Sequence, residues 1–157
     1  MALVTPVFFD TTVLLGGCID FGRSSVDAQR LLDDVADGSI RNALTGWHCC
    51  LEFYAVATRL PGGYRLAPQQ AWRLLQEVLA MFRVEQLPEE ARLPFLEAAV
   101  RERVAGGRVY DAHIAEVARL AGASVVVTDN RRHFTVLMKH GVRVLRASEF
   151  AEERRRS

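Results

Sequence analysis

Carboxylate and amide side chains recur in this sequence where an apolar segment begins or ends. Three carboxylates brought within about 4 Å of one another repel by several kcal/mol per pair at an effective dielectric constant of about 20. Either their pKa values rise or a hard cation such as Mg²⁺ or Mn²⁺ binds them, and an all-oxygen ligand set favours those ions over zinc. The candidate positions are Asp10, Glu52, Asp111, Asp129 and Asn130.

Each of the three isolated acids also has a purely structural interpretation. Asp10 can cap a turn through Thr11 or Thr12. Glu52 can lie on a solvated helix face, and Asp111 can be an acid favoured by the positive end of a helix dipole. The local patterns alone leave both interpretations open.

The strands that would position these groups are short and apolar. Continuous apolar residues predict buried strands, and β-branched residues strengthen that prediction. Asp10 follows one such segment directly, and Asp129 follows another. The predicted strands are Val4 to Phe9, Phe82 to Leu87, Val125 to Val127 and Val142 to Leu145.

Segments with helical spacing lie between these strands. A capping box at Ser24 and Asp27 predicts the start of a first helix that ends near Gly38. Glu52 is predicted at the start of a later helix and Asp111 in the first turn of another. The remaining predicted helices run over 71–79 behind Pro68, from Pro88 to Gly106-Gly107, and from Val109 to Leu120.

Strands that alternate with helices predict an α/β fold with a mainly parallel sheet. In such a sheet the carboxyl ends of the strands and the amino ends of the following helices lie on one edge. Asp10, Glu52 and Asp111 can therefore converge, although they are far apart in the sequence.

Length and composition predict one ordinary globular domain over 1–150, followed by a charged tail at 151–157. Lys and Arg number 20 against 19 Asp and Glu, so the net charge of +1 neither requires nor excludes a nucleic-acid partner. The three cysteines lack zinc-site spacing. Without a signal peptide or an apolar span in the sequence, we expect a cytoplasmic location and no membrane contact.

Four ordered motifs span most of the chain. The first is Phe9 to Leu15 (FDTTVLL), and the second is Leu51 to Pro61 (LEFYAVATRLP). The third is Tyr110 to Ala115 (YDAHIA), and the fourth is Val127 to Phe134 (VTDNRRHF). Together they resemble the PIN-domain nucleases, and in particular the toxin subunit of VapBC-type toxin–antitoxin pairs.

The resemblance implies a three-layer α/β/α sandwich and an endoribonuclease that depends on Mg²⁺ or Mn²⁺. It also implies a homodimer that a cognate antitoxin inhibits. Asp10, Glu52 and Asp111 would be the acidic metal ligands, and the Thr128 hydroxyl would support them. The fourth motif departs from the family, because Asn130 stands where many members have Asp.

Asp129 lies one residue before that fourth position, and adjacent strand residues point to opposite sides. Asp129 therefore cannot replace Asn130 without a local bend, although the Asn130 amide still offers a carbonyl oxygen. Arg131, Arg132 and His133 follow directly and are candidates to hold flanking RNA phosphates, unless they form only a solvated turn.

Several alternatives compete with this interpretation. A haloacid dehalogenase-type phosphatase would need a second acid where Thr12 stands, so we discount it. A nucleophilic role for Cys49 or Cys50 lacks an identifiable base. The alternative from another class is a non-catalytic PIN scaffold that binds RNA or a protein partner, which Asn130 makes conceivable.

Overall fold

A five-stranded parallel sheet forms the centre of the protein in a computed structural model that describes residues 2–157. The strands follow the order β3-β2-β1-β4-β5, and every neighbouring pair is parallel. β1 and β4 are wholly buried, as their continuous apolar sequences predict. The strands are β1 (Val7–Phe9), β2 (Ala43–Gly46), β3 (Arg83–Glu85), β4 (Val125–Val127) and β5 (Arg143–Leu145).

Helices cover both faces of the sheet. Among residues 2–157 the α-helices are α1 (Thr11–Cys18), α2 (Val26–Ala36), α3 (Trp47–Ala57), α4 (Pro68–Met81), α5 (Glu89–Arg101), α6 (Arg108–Leu120) and α7 (Ala147–Arg156). α1 contacts α2 and α3, α3 contacts α4, and α2 contacts α7, whereas α5 packs on α6. The chain reverses direction across the sheet between β3 and β4, and because crossovers in parallel sheets are almost always right-handed, α5 and α6 are expected on the opposite face. The predicted three-layer α/β/α sandwich is confirmed.

One strand escaped the sequence-based prediction. β2 reads Ala-Leu-Thr-Gly, and alanine and glycine are depleted in strands, so its composition gave no strand signal. Its position is fixed by pairing, since it lies between β1 and β3 with Leu44 opposite both Phe8 and Arg83. The strand is fully buried.

The start of α2 differs from the prediction. No side-chain hydrogen bond caps this helix within residues 2–157, so the predicted capping box of Ser24 and Asp27 is absent. Instead, the Ser25 hydroxyl accepts a 2.9 Å hydrogen bond from the Phe21 N–H and donates one of 3.0 Å to the Ile19 carbonyl. The buried hydroxyl fixes the loop that leads into α2.

The carboxyl-terminal residues belong to a helix. The segment 151–157, which its charge sets apart in the sequence, continues α7 through Arg156. Arg154 Nε lies 2.9 Å from Asp34 Oδ2, and this ion pair joins α7 to α2. None of the helices within residues 2–157 is long and apolar enough to cross a bilayer.

Candidate active site

Asp10 and Thr128 come together at the ends of the two central strands. Phe9 lies opposite Val127 in the β1–β4 pair, so the next residues of the two strands are neighbours. Thr128 Oγ1 donates a 2.8 Å hydrogen bond to Asp10 Oδ2, and the Asp10 side chain is only 3% exposed. The connections leave β1 and β4 in opposite directions, which makes this the crevice where ligands bind in open parallel sheets.

Two hydroxyl groups hold the same oxygen of Asp10. Thr12 Oγ1 lies 3.4 Å from Asp10 Oδ2, in addition to the Thr128 hydrogen bond. The backbone N–H of Asp129 donates to Thr12 Oγ1, and that of Asn130 donates to Thr128 Oγ1, each at 3.0 Å. Because each hydroxyl already accepts a backbone N–H, its own proton is directed at Asp10. The loop after β4 is thereby tied to the carboxylate at the end of β1.

The other oxygen of Asp10 faces a thiol. Cys49 Sγ lies 4.0 Å from Asp10 Oδ1, which is a weaker contact than the two hydroxyl groups make with Oδ2. Burial raises the pKa of the Cys49 thiol to about 12, so this thiol is protonated at neutral pH. The arrangement opposes a nucleophilic role for Cys49 and leaves Oδ1 with unused acceptor capacity.

The environment of Asp10 disfavours its charged form. Burial is the largest cause and raises the pKa of its carboxyl, against hydrogen bonds from Thr128 and from the Thr11 backbone that lower it. The negative charges of Glu52 and Asp111 raise it further, and the result is a pKa of about 6 instead of 3.8. A proton or a bound cation would relieve this cost.

The structure places Glu52 in the second turn of α3, because that helix already begins at Trp47. The prediction that Glu52 starts a helix is wrong, since the residues from Trp47 onward are already helical. Glu52 Oε2 lies 3.8 Å from Nε2 of His48, one turn earlier in the same helix. The Glu52 side chain is partly exposed, and its negative charge contributes to the raised pKa of Asp10.

Asp111 lies in the first turn of α6, as the sequence predicts. Its Oδ2 is 2.8 Å from Nδ1 of His133, a contact between residues of different sequence motifs. A histidine of α6 itself, His113, packs edge-on against His48 and Phe95, which favours a packing role for His113.

The charges of Glu52 and Asp111 act on Asp10, but the three carboxylates do not lie close enough together to form a metal site. Within residues 2–157, no three His, Cys, Asp or Glu side chains stand close enough together to hold a metal ion as they are. The chemistry of the donors nevertheless fits Mg²⁺ or Mn²⁺, because all are oxygens and the buried Asp10 carboxylate has hydrogen-bond donors but, among the described residues, no cationic partner beside it. Coordination by Asp10, Glu52 and Asp111 stays a prediction.

The two candidates for the fourth ligand position both have exposed side chains. Asp129 and Asn130 follow the buried Thr128, and their backbone N–H groups bind the two threonine hydroxyls. Those contacts fix the backbone of the loop. Coordination of a metal ion by the Asp129 carboxylate or by the Asn130 amide also stays a prediction.

The two arginines after this loop differ in their surroundings. Arg131 Nη1 lies 2.6 Å from Glu149 Oε1, so its charge is paired with a carboxylate. Arg132 instead lines a cavity that also contains Asp111 and His133. Of the two predicted phosphate contacts, Arg132 is therefore the better placed beside the acidic site.

Comparison with known proteins shows the family of the chain. The PIN domain matches residues 6–132, and the chain belongs to the PIN-domain family. The sequence-based recognition of a VapC-type PIN domain is confirmed. Ribonuclease VapC27 of Mycobacterium tuberculosis is 37% identical over 108 residues, which cover 69% of this chain and 77% of the relative.

Solved structures share the fold. DNA-bound VapBC from Salmonella typhimurium superposes with a TM-score of 0.63 at 18% identity, covering 92% of this chain and 99% of the other. VapC20 of Mycobacterium tuberculosis, described as a Sarcin-Ricin loop cleaving toxin, gives a TM-score of 0.59 at 19% identity. That match covers 76% of this chain and 86% of VapC20.

Proposed function

We propose that the protein is a divalent-metal-dependent endoribonuclease that hydrolyses RNA phosphodiester bonds. The observation that carries this proposal is the buried Asp10 carboxylate in the crevice between the ends of β1 and β4. The charges of Glu52 and Asp111 help to raise the pKa of this carboxylate. A site of this kind favours a bound cation over three bare carboxylates. The similarity to Ribonuclease VapC27 supports RNA as the substrate.

Asp10, Glu52 and Asp111 would hold Mg²⁺ or Mn²⁺, together with an oxygen of Asn130 or Asp129. A divalent cation bound there supplies Lewis acidity toward the phosphodiester. The chain itself supplies the rigidity of the site. Thr128 orients Asp10 through Oδ2, which leaves Oδ1 available to a ligand.

A further hydroxyl holds the strand that carries Asp10. Thr45 Oγ1 in β2 donates a 2.8 Å hydrogen bond to the Phe9 carbonyl, directly before Asp10. Thr45 is completely buried. The carboxylate is therefore positioned from both neighbouring strands, by Thr45 through the backbone and by Thr128 through the side chain.

The proposal extends to a biological role as the toxin of a type II toxin–antitoxin pair in the cytoplasm. The supporting observation is that several structural neighbours were solved as VapBC complexes. A cognate antitoxin would present a basic or apolar segment to the acidic site, where complementary charge speeds and directs association. The RNA cleaved in the cell can be identified by mapping fragment ends after induced expression. New ends that also appear with an Asp10→Asn variant would contradict the proposal.

The proposed homodimer has a candidate surface on α5. Leu93, Leu96 and Val100 recur at helical spacing, and Leu93 and Val100 are 71% and 77% exposed. A stripe of this kind on a helix normally packs against another apolar surface. We propose that a second copy of the chain covers it.

A further inference from the structure

A cavity of about 310 Å³ adjoins the acidic site on the side of Asp111. Its walls come from the start of α6, from the 3₁₀ turn Arg131–His133 and from the residues after α5. Pockets that hold small ligands measure roughly 300–1,000 Å³, so this one suits a single phosphate with its sugar. Asp111 itself lines the cavity, which therefore opens directly from a predicted metal ligand.

The cavity wall carries charges of both signs, and its two arginines are not paired with any carboxylate that the structure describes. Arg108 and Arg132 both line it, and within residues 2–157 neither forms an ion pair with a carboxylate. The neighbouring Arg131, by contrast, is paired with Glu149. Arg108 is also the first residue of α6, where the helix dipole adds positive partial charge.

One carboxylate other than Asp111 lies on the wall. Glu102 is exposed and follows α5, and Thr135 adds a hydroxyl group to the lining. The negative charge of Glu102 opposes anion binding, so removal of this charge should strengthen the affinity of the cavity for an anion. This gives the cavity a test in which two kinds of substitution have opposite effects.

We propose that Arg108 and Arg132 form a subsite for an RNA phosphate next to the one that is hydrolysed. The planar guanidinium group donates paired hydrogen bonds that match a phosphate, and two such groups without carboxylate partners are available here. The inference rests on the proposed ribonuclease function and adds Arg108, which lies outside the four sequence motifs. RNA is favoured over an acidic protein segment because the cavity adjoins Asp111 at the predicted site of hydrolysis.

The test measures binding of a short, labelled single-stranded RNA to the full chain carrying Asp10→Asn, so that cleavage does not interfere. In this background Arg108→Gln and Arg132→Gln should each raise the Kd about fivefold or more at low salt. Each should also make the slope of log Kd against log salt shallower by about 0.7, the value for one phosphate contact on a single strand. Glu102→Gln should lower the Kd.

Two controls sharpen the result. Arg73→Gln removes an exposed arginine from α4, in the other helix layer, and should change neither the Kd nor its slope appreciably. Arg108→Lys should keep the salt slope but bind less tightly, because the charge remains and the planar fork is lost. Circular dichroism of each variant verifies that the fold is intact.

The proposal is overturned if Arg108→Gln and Arg132→Gln change RNA binding no more than Arg73→Gln does. That result would leave an acidic protein segment as the occupant to examine next. Failure of the ribonuclease function would look different: the parent chain would cleave no RNA, whereas the binding differences between the variants would persist. In the chain without Asp10→Asn, the subsite variants should raise KM more than they lower kcat.

Discussion

The Thr128 hydroxyl donates a 2.8 Å hydrogen bond to Oδ2 of Asp10, a residue 118 positions earlier in the chain. Both residues lie at the ends of the paired central strands, and both are buried. The hydrogen bond stabilises the charged form of Asp10 against the cost of burial. The pairing of β1 with β4 therefore influences the pKa of Asp10 through this hydrogen bond.

Thr128→Val should lower RNA cleavage about 10- to 100-fold, because a hydrogen bond to a charged group contributes roughly 1.5–3 kcal/mol. The pKa of Asp10 should rise as well, which moves the acidic limb of the pH–rate profile to higher pH. Thr128→Ser keeps the hydroxyl and is the matched control. Equal activity profiles for the Val and Ser variants would show that the hydroxyl has no role.

The raised pKa of Asp10 makes the stability of the metal-free protein depend on pH. Between pH 3.8 and about 6 the folded state keeps a proton that the unfolded chain has lost, so the free energy of unfolding falls as pH rises. At about 1.4 kcal/mol for each pKa unit, the full effect above this window is about 3 kcal/mol.

Asp10→Asn removes this ionisation, so the variant should be more stable than the parent chain at about pH 7.5. The difference should shrink as the pH is lowered towards 3.8. Urea unfolding in the presence of a chelator measures both proteins across this range. Added Mg²⁺ should stabilise the parent chain more than the variant, since only the folded site binds the ion. Parallel stability curves for the two proteins would contradict the burial of an ionised Asp10.

The fourth ligand position can be assigned by exchanging charge between neighbours. Asn130→Asp should lower the Mg²⁺ or Mn²⁺ concentration for half-maximal cleavage, because a charged oxygen ligand holds a hard cation more tightly. Asp129→Asn should have little effect if its side chain points away. If Asp129→Asn abolishes cleavage while Asn130→Asp leaves the metal titration unchanged, Asp129 is the ligand.

The apolar stripe on α5 predicts self-association. Leu96→Glu places a charge in the middle of the stripe and should convert a dimer to a monomer, seen as a halved mass in sedimentation or light scattering. Met138→Glu changes an exposed apolar residue outside α5 and is the control. A parent chain that is already monomeric at high concentration would contradict the dimer.

The elements that could be predicted from the sequence are those whose own residues show a characteristic pattern of apolar side chains. β1 and β4 are continuous apolar segments, and α6 was placed correctly to within one residue of its start. β2 was missed because only its pairing with β1 and β3 makes Ala43–Gly46 a strand. Local composition does not contain that information.

The candidate site could be predicted only in part from the sequence, because some of its contacts join residues that are far apart in the chain. The motifs identify Asp10, Asp111 and Thr128, but the contact of Asp111 with His133 depends on how α6 packs near the loop after β4. The Cys49 thiol beside Asp10 was likewise hidden, since the two residues are 39 positions apart. Spatial neighbours from different elements become visible only in the folded chain.

In the proposed function, Asp10, Glu52 and Asp111 support metal-dependent hydrolysis of RNA. The most direct measurement is cleavage of labelled RNA by the purified chain with Mg²⁺ or Mn²⁺, with excess chelator, and with each of Asp10→Asn, Glu52→Gln and Asp111→Asn. We predict cleavage that requires the metal and falls at least 100-fold in each variant, because each substitution removes a charged ligand. Cleavage that survives the chelator, or that is undiminished in all three variants, would contradict the proposed function. A chain that binds RNA without cleaving it would instead be the non-catalytic scaffold.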